Sequence, residues 1–268
     1  MVSDIRNIVI LTGAGVSAES GLATFRGPDG LWEGNRVEDV ATPEAFERDP
    51  ALVHAFYDAR RARLGTVRPN AAHDALARLD AEWPGELLLV TQNVDDLHER
   101  AGSKRLLHMH GELKRGWCQA CGERFSWDGP MSPNSVRPER SRGMPEGVST
   151  SLDTNGVNLC PSCAVGGEVR PDIVWFGEMP YAMERIEEAL RWCDLFVSIG
   201  TSGAVYPAAG FVQTARYCGA RTLEINFEPS QGSMFFHESR IGKAGQLVPA
   251  WVKEVLSPYS DHSSPMSR

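Results

Sequence analysis

Ile8-Val9-Ile10-Leu11-Thr12-Gly13-Ala14-Gly15-Val16-Ser17-Ala18-Glu19-Ser20-Gly21 is an apolar run that ends in a glycine turn. Its leading residues favour a buried strand, Gly-x-Gly stops that strand abruptly, and a helix is expected to begin at Ser17 to Ser20. Turns of this kind bind phosphate. Gly13 would permit the bend, Gly15 would let a pyrophosphate approach the backbone, and Ala18 fits the small third position of G-x-G-x-x-G/A. The N–H groups of the new helix would face the anion. The same turn also occurs as a plain strand-to-helix connection, so alone it does not establish a ligand. About twenty residues further on, where a dehydrogenase of this build carries its ribose-binding acid, the chain reads Phe25-Arg26-Gly27-Pro28-Asp29-Gly30-Leu31-Trp32, a loop. A nucleotide bound here is therefore held in an unusual way.

Outward from that turn, apolar runs at 87–91, 106–110, 172–176, 195–199 and 221–225 read as further buried strands. Helical patterns separate several of them, as at 183–193, and continuous apolar strands of this sort belong to a parallel sheet covered on both faces. Residues 29–69 are helical in character. Thr42-Pro43-Glu44 has the form of a helix start, and Asn70 caps a helix through 71–79 that contains His73, read as structural. The expected fold is α/β: a Rossmann-like parallel sheet with a smaller zinc-ribbon plus helical module. The expected division assigns 1–30, 70–115 and 169–256 to the Rossmann-like body. It assigns 31–69 to the helical part of the small module and 116–168 to its zinc part, with 257–268 as a disordered tail.

At 268 residues the chain is long enough for a main domain and a smaller one. Apolar residues at 42% and charged residues at 23% allow a sizeable core and exclude a largely disordered chain. A net charge of −8 argues against binding nucleic acid by phosphate neutralisation. No run is apolar enough to span a bilayer, and Met1-Val2-Ser3-Asp4 lacks a basic leader, so a cytoplasmic protein with reduced thiols is expected.

Cys118-Gln119-Ala120-Cys121 and Cys160-Pro161-Ser162-Cys163 form two C-x-x-C pairs. Four thiolates at that local spacing suit one tetrahedral Zn²⁺, closed and therefore structural. A redox pair is disfavoured because neither motif opens a helix after a strand. The intervening segment is longer than in an ordinary zinc ribbon and carries a basic tract at 137–142. Cys193 and Cys218 read as core residues.

Polar residues gather at the expected strand ends: Gln92, Asn93, Asp95, His110, Gly177, Glu178, Thr201, Ser202, Asn226 and Glu228. In an open α/β sheet those ends converge on the ligand crevice.

Taken in order, Gly13-Ala14-Gly15-Val16-Ser17 through Ser20-Gly21, Phe25-Arg26, Thr91-Gln92-Asn93-Val94-Asp95, His110-Gly111-Glu112-Leu113, the two C-x-x-C pairs, Phe176-Gly177-Glu178 and Gly200-Thr201-Ser202 resemble the sirtuin family, from about residue 8 to 250. The resemblance implies an NAD-consuming protein-lysine deacylase. NAD would contact Gly13, Ala14, Gly15, Glu19, Phe25, Arg26, Trp32, Gln92, Asn93, Val94 and Asp95. Its adenosine half would meet Gly200, Thr201, Ser202, Asn226, Phe227, Glu228 and Ala244. It further implies that nicotinamide leaves and the acyl-lysine oxygen attacks the ribose. His110 would act as general base, with Asn93 as its catalytic companion, so that the acyl group passes to ADP-ribose. His108 shares the strand face of His110 and is its rival; His54, His98, His237 and His262 read as surface or packing residues.

The partners implied are acyl-lysine proteins or peptides, not nucleic acid or membrane. The peptide would pair as a strand between 177–179 and 204–206, through Gly177, Glu178 and Val205, with Val174 and Phe176 lining the lysine passage. Tyr57 and Arg60 lie at i, i+3 on one helix face, a phenol and a guanidinium suited to a carboxylate. Within the resemblance, this pair and the small Ala41 imply removal of succinyl and malonyl groups besides acetyl. The alternatives are a dehydrogenase, a protein ADP-ribosyltransferase using the same NAD cleavage, and a non-catalytic zinc-ribbon binding module.

Overall fold

The computed structural model describes residues 5–24, 34–130 and 158–260. Six parallel strands form the main sheet in the order β3-β2-β1-β7-β8-β9. Their ranges are β1 Asn7–Thr12, β2 Glu86–Thr91, β3 Leu106–His108, β7 Leu195–Ile199, β8 Arg221–Asn226 and β9 Glu238–Ile241. Five further segments of the sheet's surroundings precede or join these strands: the helices α1 Val37–Val40, α2 Pro43–Arg48, α3 Pro50–Leu64, α4 Ala71–Glu82 and α5 Leu97–Ala101. The second sheet is small and antiparallel, in the order β5-β4-β6, with β4 Gly111–Cys118, β5 Arg124–Ser126 and β6 Val169–Ile173. The remaining helices are α6 Met183–Trp192, α7 Phe211–Tyr217 and α8 Ala244–Ser260.

The main sheet is buried on both faces, as its continuous apolar strands require. Ile8, Ile10, Leu87, Leu89, Val197 and Ile225 pack on one face beneath α4 and α8. Val9, Leu11, Leu88, Val90 and Phe196 pack on the other beneath α6 and α7. A third cluster joins Val40, Ala41, Phe46, Val53 and Tyr57 of the helical layer to Leu113, Ile173 and Trp175. Both expected caps form: Thr42 Oγ1 accepts from Ala45 N–H at 3.0 Å, and Asn70 Oδ1 from Ala72 N–H at 2.9 Å.

Several expectations are corrected. The run at 172–176 does not join the parallel sheet; the strand there is Val169–Ile173, and it pairs antiparallel with β4. Its buried Arg170 and Asp172 have ion-pair partners, so burial does not require an apolar sequence. The third strand stops at His108, which places His110 in the turn before β4. The segment after Gly15 forms two short 3₁₀ turns, Ala14–Val16 and Ala18–Ser20, with no α-helix at Ser17. Cys193 is buried as expected, but Cys218 lies exposed beyond the end of α7. The last helix continues to Ser260, past the expected start of the tail at 257.

Candidate active site

The strand order reverses direction between β1 and β7, and the crevice of an open parallel sheet lies at such a switch point. Gly13 N–H donates to the Ile199 carbonyl at 3.0 Å and Gly15 N–H to the Gly200 carbonyl at 2.8 Å, so the two strand ends cross in contact. A Cβ on Gly15 would stand 2.7 Å from the Gly200 Cα, and one on Gly13 would stand 2.9 Å from Thr201 Cβ. Gly13 itself is extended, with φ −128°. Its glycine is therefore fixed by the neighbouring backbone and not by the bend. Gly200 does need its residue type, with φ +63° and a Cβ position 2.4 Å from Val16 N.

Above this crossing lies a cavity of about 890 Å³. It is lined by every described residue expected to contact cofactor or substrate. Gly13, Ala14, Gly15, Glu19, Gln92, Asn93, Val94, Asp95, Gly200, Thr201, Ser202, Asn226, Phe227, Glu228 and Ala244 are among its lining. Ala41, Tyr57, Arg60, His110, Val174, Phe176, Gly177, Glu178 and Val205 line the same cavity. Phe25, Arg26 and Trp32 lie outside the described residues, as do His262 and the basic tract at 137–142.

Below the cavity a buried polar network holds the second strand end. Asn93 Nδ2 donates to the Gly13 carbonyl and to Ser17 Oγ, each at 3.2 Å. Ser17 Oγ donates to Asp95 Oδ2 at 3.1 Å, and Leu97 N–H donates to Asp95 Oδ1. Burial raises the Asp95 carboxyl, while the Leu97 and Ser17 hydrogen bonds act against that shift. Ser17 also meets His73 Nε2 at 3.4 Å. Burial lowers the His73 ring to about 4, so it sits neutral behind the site, packed against His98. Ser17 was not among the expected site residues; its place inside the glycine turn gave no chemical signal until Asp95 was brought beside it.

On the third strand end, the His110 Nδ1 lies 3.2 Å from the Gln92 carbonyl. A carbonyl only accepts, so Nδ1 carries the hydrogen and Nε2 is left as the basic nitrogen. Burial lowers the His110 ring, partly offset by that hydrogen bond, and keeps it neutral near pH 7. His108 is separated from the cavity wall. Its Nδ1 meets the Asn93 carbonyl at 2.9 Å and its Nε2 meets Glu99 at 2.6 Å. Burial works to lower that ring, but Glu99 and Glu112 outweigh it and raise it, which suits an ion pair better than a base.

Elsewhere around the cavity, Gln92 Nε2 donates to Thr201 Oγ1 and Asn226 Nδ2 to the Thr201 carbonyl. Buried Glu224 accepts from Ser230 N–H, Ser233 and Ser239 and so fixes the loop after β8. Glu19 Oε1 accepts from Gly245 N–H at 2.8 Å at the start of α8, which ties the turn after Gly15 to Ala244. The Glu178 carboxylate is held in place, pairing with Arg170 and accepting Trp175 N–H. Phe176, Met179 and Tyr206 are exposed around the rim.

Apart from the cavity, the four cysteines converge, with Cys118 and Cys163 sulfurs 3.8 Å apart and Cys121 and Cys160 sulfurs 3.7 Å apart. Bonds of about 2.3 Å in a tetrahedron separate sulfurs by about 3.8 Å, so the donor set fits Zn²⁺. With four protein ligands a bound metal would have no open position, and Cys118, Cys121, Cys160 and Cys163 would use it to staple the end of β4 to the 160–163 turn. No helix among the described residues is long and apolar enough to cross a membrane.

The chain is similar over nearly all its length to known proteins. It is 51% identical over 254 residues to an NAD-dependent protein deacylase of Shewanella oneidensis, covering 94% of this chain and 95% of that one. It is 51% identical to the NAD-dependent protein deacylase SIR2rp3 of Leishmania major, over 94% and 96% of the two chains. Among solved structures, a Sir2 homolog–NAD complex superposes with a TM-score of 0.80 at 35% identity, covering 96% of this chain and 92% of that one. A Sir2–p53 peptide–NAD⁺ structure superposes at 0.74 with 25% identity, over 97% and 96%. The Sir2 family model matches residues 13–207, and with relatives of this likeness along nearly its whole length the chain belongs to the Sir2 family.

Proposed function

We propose that this protein is an NAD-dependent protein-lysine deacylase that removes succinyl and malonyl groups, and acetyl groups as well, and that it works in the cytoplasm. The observation that carries the reading is one cavity that joins the Gly13–Gly15 turn, a neutral His110 and the Tyr57–Arg60 pair. NAD, as cosubstrate, supplies the ribose carbon that the acyl oxygen attacks as nicotinamide leaves, and the ribose hydroxyl that then carries the acyl group away from the freed lysine.

In this reading Asn93 and Asp95, locked through Ser17, hold the nicotinamide end. Asn226, Thr201 and the loop braced by Glu224 hold the adenosine end. His110, basic at Nε2, takes the proton from a ribose hydroxyl. The lysine enters beside Val174 and Phe176, and its peptide pairs by main chain with 177–179 and 204–206, a mode that reads little sequence. The acyl end rests beside Ala41, Tyr57 and Arg60. Arg60 lies with its guanidinium carbon 5.1 Å from the centre of the Phe56 ring, a fixed cation for an acyl carboxylate. Protein ADP-ribosylation would use the same first step but leaves the Tyr57–Arg60 pair without a purpose.

Mass spectrometry of the products from succinyl- and acetyl-lysine peptides with NAD tests the assignment. O-acyl-ADP-ribose and nicotinamide are expected from both, and His110→Ala should abolish turnover while NAD still binds. Arg60→Met should raise KM for the succinyl peptide far more than for the acetyl peptide, since a charged contact of roughly 2–5 kcal/mol is lost. Equal effects on both peptides would remove the acidic-acyl assignment, and ADP-ribose attached to protein would replace deacylation with transfer.

A further inference from the structure

Trp175 lies between the two residues that flank the lysine passage, and its side chain packs with Phe46 and Tyr57 in the helical layer beside the cavity. Only 2% exposed, it donates from Nε1–H to the Tyr57 hydroxyl at 2.9 Å. An indole N–H can only donate, so the Tyr57 oxygen is the acceptor and the hydroxyl's own hydrogen is directed away from the indole. Tyr57 is fully buried in the cavity wall, and burial raises its pKa, so it serves as a donor and not as a phenolate.

The indole cannot easily turn to release that hydroxyl. The Arg170 guanidinium lies 3.4 Å from the centre of the Trp175 ring and pairs with Glu178, whose carboxylate also takes Trp175 N–H. Phe46 packs at 5.5 Å from the same ring. The next residue, Phe176, donates its N–H to the Ala41 carbonyl at 3.0 Å. One short segment thus fixes two members of the acyl pocket, the Ala41 backbone and the Tyr57 hydroxyl.

We propose that Trp175 is a positioning residue for acyl selectivity, whose indole N–H aims the Tyr57 hydroxyl at the carboxylate of an acidic acyl-lysine. The inference rests on the acidic-acyl reading of Tyr57 and Arg60. A carboxylate that settles against Arg60 meets a hydroxyl already oriented toward it, in a water-poor wall where a correctly aimed donor counts for more than in solvent. An acetyl group presents no second acceptor and gains nothing from that alignment. Trp175 therefore acts on KM for acidic acyl groups through Tyr57, without touching the reacting atoms.

The test compares wild type, Trp175→Phe, Tyr57→Phe and the double variant on succinyl- and acetyl-lysine forms of one peptide at saturating NAD. Trp175→Phe is expected to lower the succinyl-to-acetyl ratio of kcat/KM about tenfold, through KM, as for loss of one well-placed hydrogen bond. In the Tyr57→Phe background it should leave that ratio unmoved, because the hydroxyl it aims is gone. Benzothienylalanine at 175, which keeps the indole's shape and lacks the N–H, should reproduce the ratio change even if the phenylalanine variant folds poorly. Equal losses on both peptides, or independent effects of the two single changes, would overturn the proposal. Arg60→Met in parallel separates the two levels. If it lowers the ratio while the changes at 175 do not, only the role of Trp175 fails; if it leaves the ratio alone, the acidic-acyl reading fails with it.

Discussion

Gly15→Ala would show which neighbour demands a glycine there. The added methyl would sit 2.7 Å from Gly200 Cα and from its carbonyl oxygen. Comfortable contact begins at about 3.4 Å, so the two strand ends must part by about 0.7 Å. Both partners are backbone and cannot swing aside, and overpacking of this kind costs about 1–3 kcal/mol. For a chain of this size that lowers the melting temperature by about 3–10 °C. The same movement opens the turn proposed to hold the pyrophosphate, and misplacement on this scale is expected to cost on the order of tenfold or more in KM for NAD. Gly210→Ala is the control: its nearest non-neighbour atom would be 3.8 Å from the new methyl. Differential scanning calorimetry without ligand, followed by NAD titration of initial rates, separates the effects. If Gly15→Ala melts with wild type yet loses NAD affinity, the glycine exists for the ligand's approach and the crossing with Gly200 is not what requires it. Unchanged melting and unchanged KM together would refute both accounts.

Chelation should expose the thiols of the staple: a thiol reagent is expected to find Cys218 in the zinc-loaded protein and four more cysteines after a strong chelator, with loss of turnover although no cysteine lines the cavity. An unchanged thiol count would remove the metal assignment. Acid should destabilise the fold through its buried histidines. His54 and His73 titrate at about 4 in the folded chain against 6.5 when unfolded. The unfolded chain binds more protons between those values, so the stabilisation is complete above pH 6.5 and disappears as pH falls toward 4. It amounts to at most about 3 kcal/mol for each ring. Denaturant midpoints measured from pH 7 to 4.5 should fall accordingly, and His73→Gln should flatten the slope; a slope unaltered by that change would show that His73 is not protonated on unfolding.

What the letters disclosed follows from burial. Strands β1, β2, β7 and β8 are covered along most of their length, and their largely apolar runs are the commonest pattern that meets such burial. Their polar end residues were legible for the same reason, since side chains that interrupt such runs at one end share one edge of the sheet. The antiparallel layer was not legible. β4 alternates buried and half-buried positions and so offers no apolar run, and the same lack hides β9, the mostly exposed edge strand of the main sheet. In β6 the buried Arg170 and Asp172 conceal a strand whose partners, Glu178 and Arg124, become neighbours only on folding. Gly13 was found for a partly wrong reason, since its backbone is extended and the bend does not require it. A sequence shows that a side chain is missing, but not whether ligand or protein occupies its space. Trp175 left no trace either, because the phenol it serves lies 118 residues away.

The hydrogen bonds from 175 and 176 to Tyr57 and Ala41 have an evolutionary consequence. A lineage drifting toward bulkier or uncharged acyl groups could not exchange the tyrosine alone, for that would strand a donor in the interior and loosen the wall beside it. Retuning would proceed through compensated pairs of substitutions, and descendants with new acyl tastes should carry changes at both ends of this link while the phosphate turn stays as it is.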